Sequence, residues 1–155
     1  MQLKQLDLPG GGLLTVYLRD CVETMPLAME RPLVLVVPGG GYSHLSAREG
    51  DPVALQFAAA GYHTAVLRYA VGDDAAHGLP LRQLAAAIGL VRQHAAAWHV
   101  LPDKIAVCGF SAGGHLALSG AVLAVPGLPD PPRPDAVILG YPVITAGEYA
   151  PVSYT

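Results

Sequence analysis

The hydrophobic residues of this sequence fall into short runs that glycine and proline separate, a pattern typical of alternating strands and helices. Two such runs, Leu3–Leu8 and Leu13–Leu18, flank the turn-forming stretch Pro9–Gly12, so a β-hairpin is predicted at the start of the chain. The continuous apolar run Leu33–Val37 is typical of a strand that is covered on both faces. An irregular connection, Met25–Arg31, is predicted between the hairpin and this strand.

Helical and extended patterns alternate along the rest of the chain. Asp51 and Pro52 predict the start of a helix, with Asp51 as its N-cap, and Gly61 predicts its end. A longer helix is predicted from Pro80 to Trp98, because its apolar residues recur every three or four positions. The remaining predicted elements are the strands His63–Tyr69, Asp103–Cys108 and Asp135–Tyr141 and the helix Ala112–Leu123. Strands that alternate with helices after a hairpin predict an α/β fold with a doubly wound, mostly parallel sheet.

The composition narrows the classes of function. The chain has 155 residues, enough for one domain with a sizeable core. Only 14% of the residues are charged, which is well below the usual share of about 25%. The mean hydropathy is +0.41, so much of the surface is expected to be buried. A formal net charge of −3 argues against nucleic-acid binding.

Cysteines and the N-terminus limit the cofactors and the compartment. Cys21 and Cys108 are the only cysteines, and the histidines show no ligand spacing, so we expect no disulfide, no metal and no cofactor. The N-terminus has no apolar core of the kind that signal peptides carry. No apolar run is long enough to span a bilayer. We therefore expect a cytoplasmic protein that binds no membrane.

A serine lies in a glycine-flanked turn between the predicted strand Asp103–Cys108 and the helix that follows it. The stretch Gly109–Gly113 reads Gly-Phe-Ser-Ala-Gly, the pattern of a nucleophile elbow. On so tight a turn the serine backbone is strained, and a Cβ at either glycine would collide across the turn. A phosphate-binding loop does not fit, because His115 and Leu116 stand where a P-loop needs Lys and Ser or Thr. Ser111 is therefore a candidate nucleophile; the alternative is a turn that only packs.

A second glycine cluster, Gly39–Gly41, follows the strand Leu33–Val37. Acyl transfer places negative charge on the former carbonyl oxygen, and backbone N–H groups must be aimed at that oxyanion from two directions. One such donor follows the nucleophile, here Ala112, and the others come from a loop after an earlier strand. We select Gly40 and Gly41 for that loop. Taken alone, the cluster could equally be an ordinary glycine-rich loop.

Together, the two motifs and the order of elements resemble the α/β-hydrolases, and more narrowly the acetyl esterase and acetylxylan esterase-like branch near the hormone-sensitive-lipase-like esterases. The stretches that carry this resemblance are Val37–Tyr42, Arg48–Val53, Gly109–Leu116 and Tyr141–Ile144. Pro38 stands where many lipase-like relatives have His, which suits the acetyl esterase branch. The resemblance implies that Ser111 is the nucleophile and that Gly40, Gly41 and Ala112 donate to the oxyanion.

The resemblance also leaves the catalytic triad incomplete. In this fold the acid and the histidine follow the serine along the chain, and the resemblance places both after Thr155. We therefore interpret residues 1–155 as the N-terminal portion of a single α/β-hydrolase domain whose C-terminal strands are absent from this chain. The acidic and histidine residues that remain after the serine fit neither position: His115, Asp130, Asp135 and Glu148. We expect His115 to pack, because it lies a full turn down the helix.

Four residues near the glycine loop have competing interpretations. Tyr42 either walls a pocket or packs, and His44 either contacts substrate or is a solvated loop residue, the second being favoured. Arg48 and Glu49 are most simply interpreted as a surface ion pair of little energetic value.

The leading hypothesis is a serine carboxylic ester hydrolase that acts on small acyl (acetyl) esters, acetylated sugars among them, through an acyl-enzyme on Ser111. The alternatives are an amide-cleaving relative on the same scaffold and a catalytically inert half-domain. The expected partner is a small-molecule ester. Because the strand Asp135–Tyr141 has the composition of a central strand, we also expect a second copy or a partner segment to cover its edge. The acyl and alcohol specificities are left open.

Overall fold

The computed structural model describes residues 1–21, 24 and 29–145. Its six strands are β1 (Gln2–Leu8), β2 (Gly12–Leu18), β3 (Arg31–Val37), β4 (His63–Arg68), β5 (Val100–Phe110) and β6 (Ala136–Gly140). Its α-helices are α1 (Asp51–Ala59), α2 (Leu79–Gln93), α3 (Ala95–Trp98) and α4 (Ala112–Val122). Of the predicted connection Met25–Arg31, residues 25–28 lie outside the described residues.

The strands form one mixed sheet in the order β1-β2-β4-β3-β5-β6. The predicted hairpin is confirmed, since β1 and β2 pair antiparallel, and β2 is also antiparallel to β4. From β4 to β6 every pairing is parallel. The register of β3 and β5 pairs Val37 with Gly109. Because parallel strands point the same way, the glycine loop after β3 and the serine turn after β5 leave the sheet at the same edge.

Helices cover both faces of the sheet, which confirms the predicted doubly wound α/β fold. The run in β3 is apolar throughout because its residues alternate between two buried layers. Val34 and Val36 share a cluster with Ala54 of α1, whereas Leu33 and Leu35 face the other layer. That second layer is formed by residues of α2, α3 and α4, among them Leu84, Ile88, Trp98 and Leu116. None of the described helices is both long enough and apolar enough to cross a membrane.

Predicted boundaries differ from the structure at several elements. The single helix Pro80–Trp98 is wrong, because His94 leaves helical geometry (φ −95°, ψ 3°) and separates α2 from α3. Its ring lies 2.9 Å from the Leu90 carbonyl oxygen and stacks on Trp98, and such side-chain bonds compete with a regular helix. The N-cap of α1 is Gly50 rather than Asp51. β5 begins at Val100, three residues before the predicted start.

The side chain of Asp51 is free to bond elsewhere because it does not cap α1. It accepts hydrogen bonds from the Tyr17 hydroxyl at 2.7 Å and from Arg68 at 3.0 Å. Burial and this bond raise the pKa of Tyr17 to about 12. The predicted end of the same helix is confirmed, since Gly61 follows it with a φ of +104°.

Within the described residues, β6 is an edge strand that pairs only with β5. Two of its large apolar side chains are exposed, Ile138 at 44% and Leu139 at 37%. A composition typical of a central strand therefore lies at the rim of the sheet.

Candidate active site

The serine turn is backbone-strained. Ser111 has φ 52° and ψ −118°, between the last residue of β5 and the first residue of α4. A non-glycine residue rarely adopts a positive φ, and such a residue stores about 1–3 kcal/mol unless its surroundings impose it. Here they do: its N–H donates to the Gly140 carbonyl at 3.0 Å, and its carbonyl accepts from Val143 at 3.2 Å and His115 at 3.0 Å. The strain predicted for a nucleophile elbow is present.

The two glycines of the turn are sterically required, as the sequence motif predicts. A Cβ on Gly113 would overlap the backbone carbonyl oxygens of Val37 and Pro38. A Cβ on Gly109 would overlap the backbone of Gly113. Helix α4 thus lies directly against the end of β3, and this contact brings the turn next to the glycine loop.

Gly40 and Gly41 of the glycine loop differ in how closely other atoms surround them. Gly40 has a φ of +129°, and a Cβ there would overlap the carbonyl group of His44. The backbone N–H of His44 donates a hydrogen bond to the Gly40 carbonyl oxygen at 3.2 Å. Gly41 has a φ of +63°, and a Cβ there would meet only Ser43 Oγ at 3.9 Å. A side chain at Gly40 would therefore break the loop, whereas one at Gly41 would project into open space.

Ser111, Gly40 and Gly41 line one open cleft of about 350 Å³. The cleft's other lining residues are Ser43, His44, Ser46, Arg48, Glu49 and Tyr141. Ala112, the fourth predicted site residue, is the buried first residue of α4. Among the described residues, no acceptor bonds to the N–H groups of Gly40, Gly41 or Ala112. The four predicted site residues thus lie together, with three backbone donors unused.

Glu49 is a component of the site that the sequence interpretation missed. Its side chain is only 7% exposed. Oε2 accepts the Gly39 N–H at 2.8 Å, and Oε1 accepts the Tyr141 hydroxyl at 2.8 Å. The predicted surface ion pair with Arg48 is wrong, because Glu49 is buried between two loops and Arg48 is exposed. The bond to Glu49 raises the pKa of Tyr141.

His115 packs against Tyr42, as the sequence analysis expects, but it does so at the surface of the protein. It is exposed, and its Nδ1 lies 2.8 Å from the Tyr42 hydroxyl, with the two rings edge to face at 5.9 Å. Tyr42 also packs edge to face on Tyr69. His44 is exposed at the cleft, with Nδ1 3.0 Å from Ser43 Oγ. Within the part of the chain described, no side chain hydrogen-bonds to Ser111 Oγ.

The acidic residues after the serine are placed for other roles. Asp135 pairs with Arg92 at 3.0 Å and accepts the Ile105 N–H at 2.8 Å. Ile105 precedes Ser111 by six strand positions, roughly 20 Å of extended chain, so Asp135 lies at the opposite edge of the sheet. Asp130 is exposed in the connector before β6, and Glu148 lies outside the described residues. No group of three or more His, Cys, Asp or Glu side chains in the described ranges could hold a metal ion.

This strand order, strained serine turn and glycine loop agree with a family match over residues 22–126 to BD-FAE. The match covers more than half of the chain. The chain belongs to this family. It is thus an α/β-hydrolase of the acetyl esterase and acetylxylan esterase-like kind, as its motifs indicate.

Curated relatives and a solved structure are similar over most of this chain. The endo-1,4-beta-xylanase B of Butyrivibrio fibrisolvens is 35% identical over 131 residues, which cover 78% of this chain and 21% of that protein. The acetylxylan esterase of Xylanibacter ruminicola is 34% identical over 118 residues, 74% of this chain and 23% of that protein. The crystal structure of MGS-M1, an α/β-hydrolase enzyme from a Medee basin deep-sea metagenome library, superposes with a TM-score of 0.82 at 39% identity.

The match to MGS-M1 covers 96% of this chain and 60% of that protein. This chain therefore spans little more than a fifth of the curated relatives and about three fifths of the solved structure.

Proposed function

We propose that the protein containing this chain is a serine carboxylic ester hydrolase that acts on small acyl esters, with acetyl groups on sugars as its main substrate class. One observation carries the proposal: a strained, glycine-flanked serine opens into the same cleft as a glycine loop with unused N–H donors. Strain of this kind concentrates at functional sites. Acyl transfer needs a nucleophile with N–H donors beside it, because the donors stabilise the oxyanion that forms in the transition state.

In the proposed mechanism, Ser111 Oγ attacks the ester carbonyl and its proton passes to a histidine. The negative charge that develops on the carbonyl oxygen is met by the N–H groups of Gly40, Gly41 and Ala112. Collapse of the tetrahedral intermediate expels the alcohol, protonated by the same histidine, and leaves the acyl group on Ser111. Water then attacks the acyl-enzyme by the reverse proton path and releases the acid.

The histidine and its acid are proposed to lie beyond residue 155. His115 is a poor base for Ser111, because its Nδ1 already contacts the Tyr42 hydroxyl and the positive end of the α4 dipole disfavours an imidazolium there. The isolated 155-residue chain is therefore expected to hydrolyse esters very slowly, with only the roughly 10³–10⁴-fold residual acceleration that an oxyanion site alone can provide.

One feature supports the substrate class. A relative that is 34% identical over the matched region, from Xylanibacter ruminicola, is by its name an acetylxylan esterase.

The edge of β6 is the second part of the proposal. An exposed apolar strand with unpaired N–H and C=O groups is a template for association, and Ile138 and Leu139 are exposed on it. We propose that a segment following residue 155 covers this edge, with a second copy of the chain as the alternative. Sedimentation of the 155-residue chain tests this, because a stable monomer at micromolar concentration would contradict it.

The esterase proposal is tested with the complete protein and its Ser111→Ala variant. p-Nitrophenyl acetate and acetylated xylo-oligosaccharides serve as ester substrates, and a p-nitroanilide serves as the amide. We expect ester turnover to fall by about six orders of magnitude in the variant, and a fluorophosphonate probe to label Ser111 alone. Labelling at another residue would overturn the nucleophile, and faster cleavage of the anilide would favour the amide-cleaving alternative.

A further inference from the structure

We propose that Glu49 is a positioning residue that holds the glycine loop (residues 39–41) at a set distance from Ser111. This inference rests on the proposed function, because it assigns Glu49 a role in placing the oxyanion donors. It concerns a residue that neither touches the reacting atoms nor belongs to a triad.

The burial of Glu49 requires an explanation. A carboxylate removed from water is costly unless it is hydrogen-bonded, and Glu49 is 7% exposed and belongs to none of the ion pairs of the described residues. Its compensation comes from Gly39 and Tyr141, one bond to each oxygen at 2.8 Å. Both partners belong to loops that border the cleft, so the buried group has been placed at the site rather than in the core.

The two loops that Glu49 joins are otherwise connected through the serine turn. Gly140 and Val143, on either side of Tyr141 in the chain, bond to the N–H and carbonyl of Ser111. The Tyr141 backbone is therefore held next to the serine turn. Because the Tyr141 hydroxyl donates to Glu49, the position of Glu49 is fixed relative to the same turn. Glu49 in turn holds the Gly39 N–H, which directly precedes the proposed donors. Removing the Glu49 carboxylate breaks the connection between the Gly39 N–H and the Tyr141 hydroxyl.

The geometry around Gly39 shows how closely these parts approach. A Cβ on Gly39 would lie 2.8 Å from Glu49 Oε2 and 3.0 Å from Ser111 Cβ. Glu49 and Ser111 therefore flank the same bare backbone, and only glycine leaves room for both. A carboxylate accepts hydrogen bonds at both oxygens, whereas an amide could keep both contacts by accepting from Gly39 and donating to the Tyr141 hydroxyl oxygen. Only a side chain without polar atoms removes both bonds.

Loss of the Glu49 bonds is expected to affect kcat and KM differently. A displacement of about 1 Å at a reacting centre can cost on the order of 100-fold in rate, and oxyanion donors act mainly in the transition state. Loss of the Glu49 bonds should therefore lower kcat and leave KM nearly unchanged. A purely structural role predicts a different result, in which stability falls and the folded fraction retains the parent kcat.

The experiment uses the complete protein with Glu49→Ala, Tyr141→Phe and the double variant. Asp7→Ala, which removes an exposed carboxyl on β1 in the same way, is the matched control. kcat and KM are measured on p-nitrophenyl acetate, together with active-site titration and melting temperature. We expect about a tenfold to 100-fold lower kcat for Glu49→Ala, a smaller loss for Tyr141→Phe, and a double variant no worse than Glu49→Ala.

An unchanged kcat per titrated site in Glu49→Ala would overturn the inference. Should that variant fail to fold, Tyr141→Phe decides: its exposed ring tolerates the change, so a kcat equal to the parent's would overturn the inference and a kcat at least threefold lower would support it. Failure of the proposed function looks different, because Ser111→Ala would then retain activity. A serine-dependent enzyme with a fully active Glu49→Ala variant contradicts this inference alone.

Discussion

Gly113→Ala should destabilise the protein, whereas Gly89→Ala should stabilise it. Both replace a glycine within an α-helix, so both gain about 1 kcal/mol of helix propensity. At Gly89 in α2, the nearest atom to a new Cβ is Pro132 Cγ at 3.4 Å, an ordinary contact. At Gly113 in α4, the new Cβ would overlap the carbonyl oxygens of Val37 and Pro38.

The magnitude follows from what must move at Gly113. Overpacking costs about 1–3 kcal/mol where side chains can adjust, and here both neighbours are backbone atoms at the end of β3, so the upper end applies. After the helix gain is subtracted, the net loss is about 2 kcal/mol. For a domain of this size that is a fall of roughly 4–8 °C in Tm, against a rise of up to about 4 °C for Gly89→Ala.

Urea unfolding followed by circular dichroism, with thermal melts on the same preparations, measures both changes. The Ser111 turn should also loosen in Gly113→Ala, so fluorophosphonate labelling of the complete protein should slow in that variant and not in Gly89→Ala. Equal stability of Gly113→Ala and the parent protein would refute the steric reasoning, because it would mean that α4 can move off the end of β3 at no cost.

Three further predictions test the site and the core. Gly41→Val should lower kcat by about 100-fold in the complete protein; steady-state kinetics check this, and an unchanged kcat would make the loop purely structural. Ser111→Gly should be more stable than Ser111→Ala by about 1 kcal/mol, because only glycine relieves the positive φ, and equal urea midpoints would contradict this strain. Burial lowers the pKa of His63 below its ordinary 6.5, so the unfolded chain binds a proton there that the folded chain does not. The stability that is linked to this proton is fully present above pH 6.5. It is lost as the pH falls towards the pKa that His63 has in the folded protein. The stability of the parent should therefore fall more steeply below pH 6.5 than that of His63→Gln, and parallel pH profiles would show that another group is responsible.

Most of the fold could be predicted because its signals are local. The alternation of buried layers in β3, the glycine that ends α1 and the hairpin turn each depend on a few neighbouring residues. The break between α2 and α3 could not be predicted this way. The apolar spacing from Pro80 to Trp98 continues through His94, where the break coincides with contacts of the His94 ring to Leu90 and Trp98.

The same distinction divides the site residues. Ser111, Gly40 and Gly41 can be selected from sequence because their proposed function depends on backbone conformation, and the positions of glycine residues indicate that conformation directly. The sequence around Glu49 gives no comparable indication of its role. Its partners are Gly39, ten residues away, and Tyr141, 92 residues away, so its burial depends on the pairing of β6 with β5. A charged residue beside Arg48 on a polar stretch has the composition of a solvated surface, and only the tertiary structure reveals otherwise.

The strained serine turn is complete although no side chain of the described residues hydrogen-bonds to Ser111 Oγ, and the topology explains why. The turn is held by contacts from β3, α4 and the loop after β6, all within the described residues. In the proposed mechanism the acid and base are side chains, which any loop at the same sheet edge can supply, whereas the oxyanion donors are backbone groups that must be built into the parallel strands themselves. The register of Val37 with Gly109 brings those backbone groups together. Strain and steric fit at Ser111 are thus properties of this part of the fold, and the stability experiments on Gly113 and Ser111 can test them independently of any turnover.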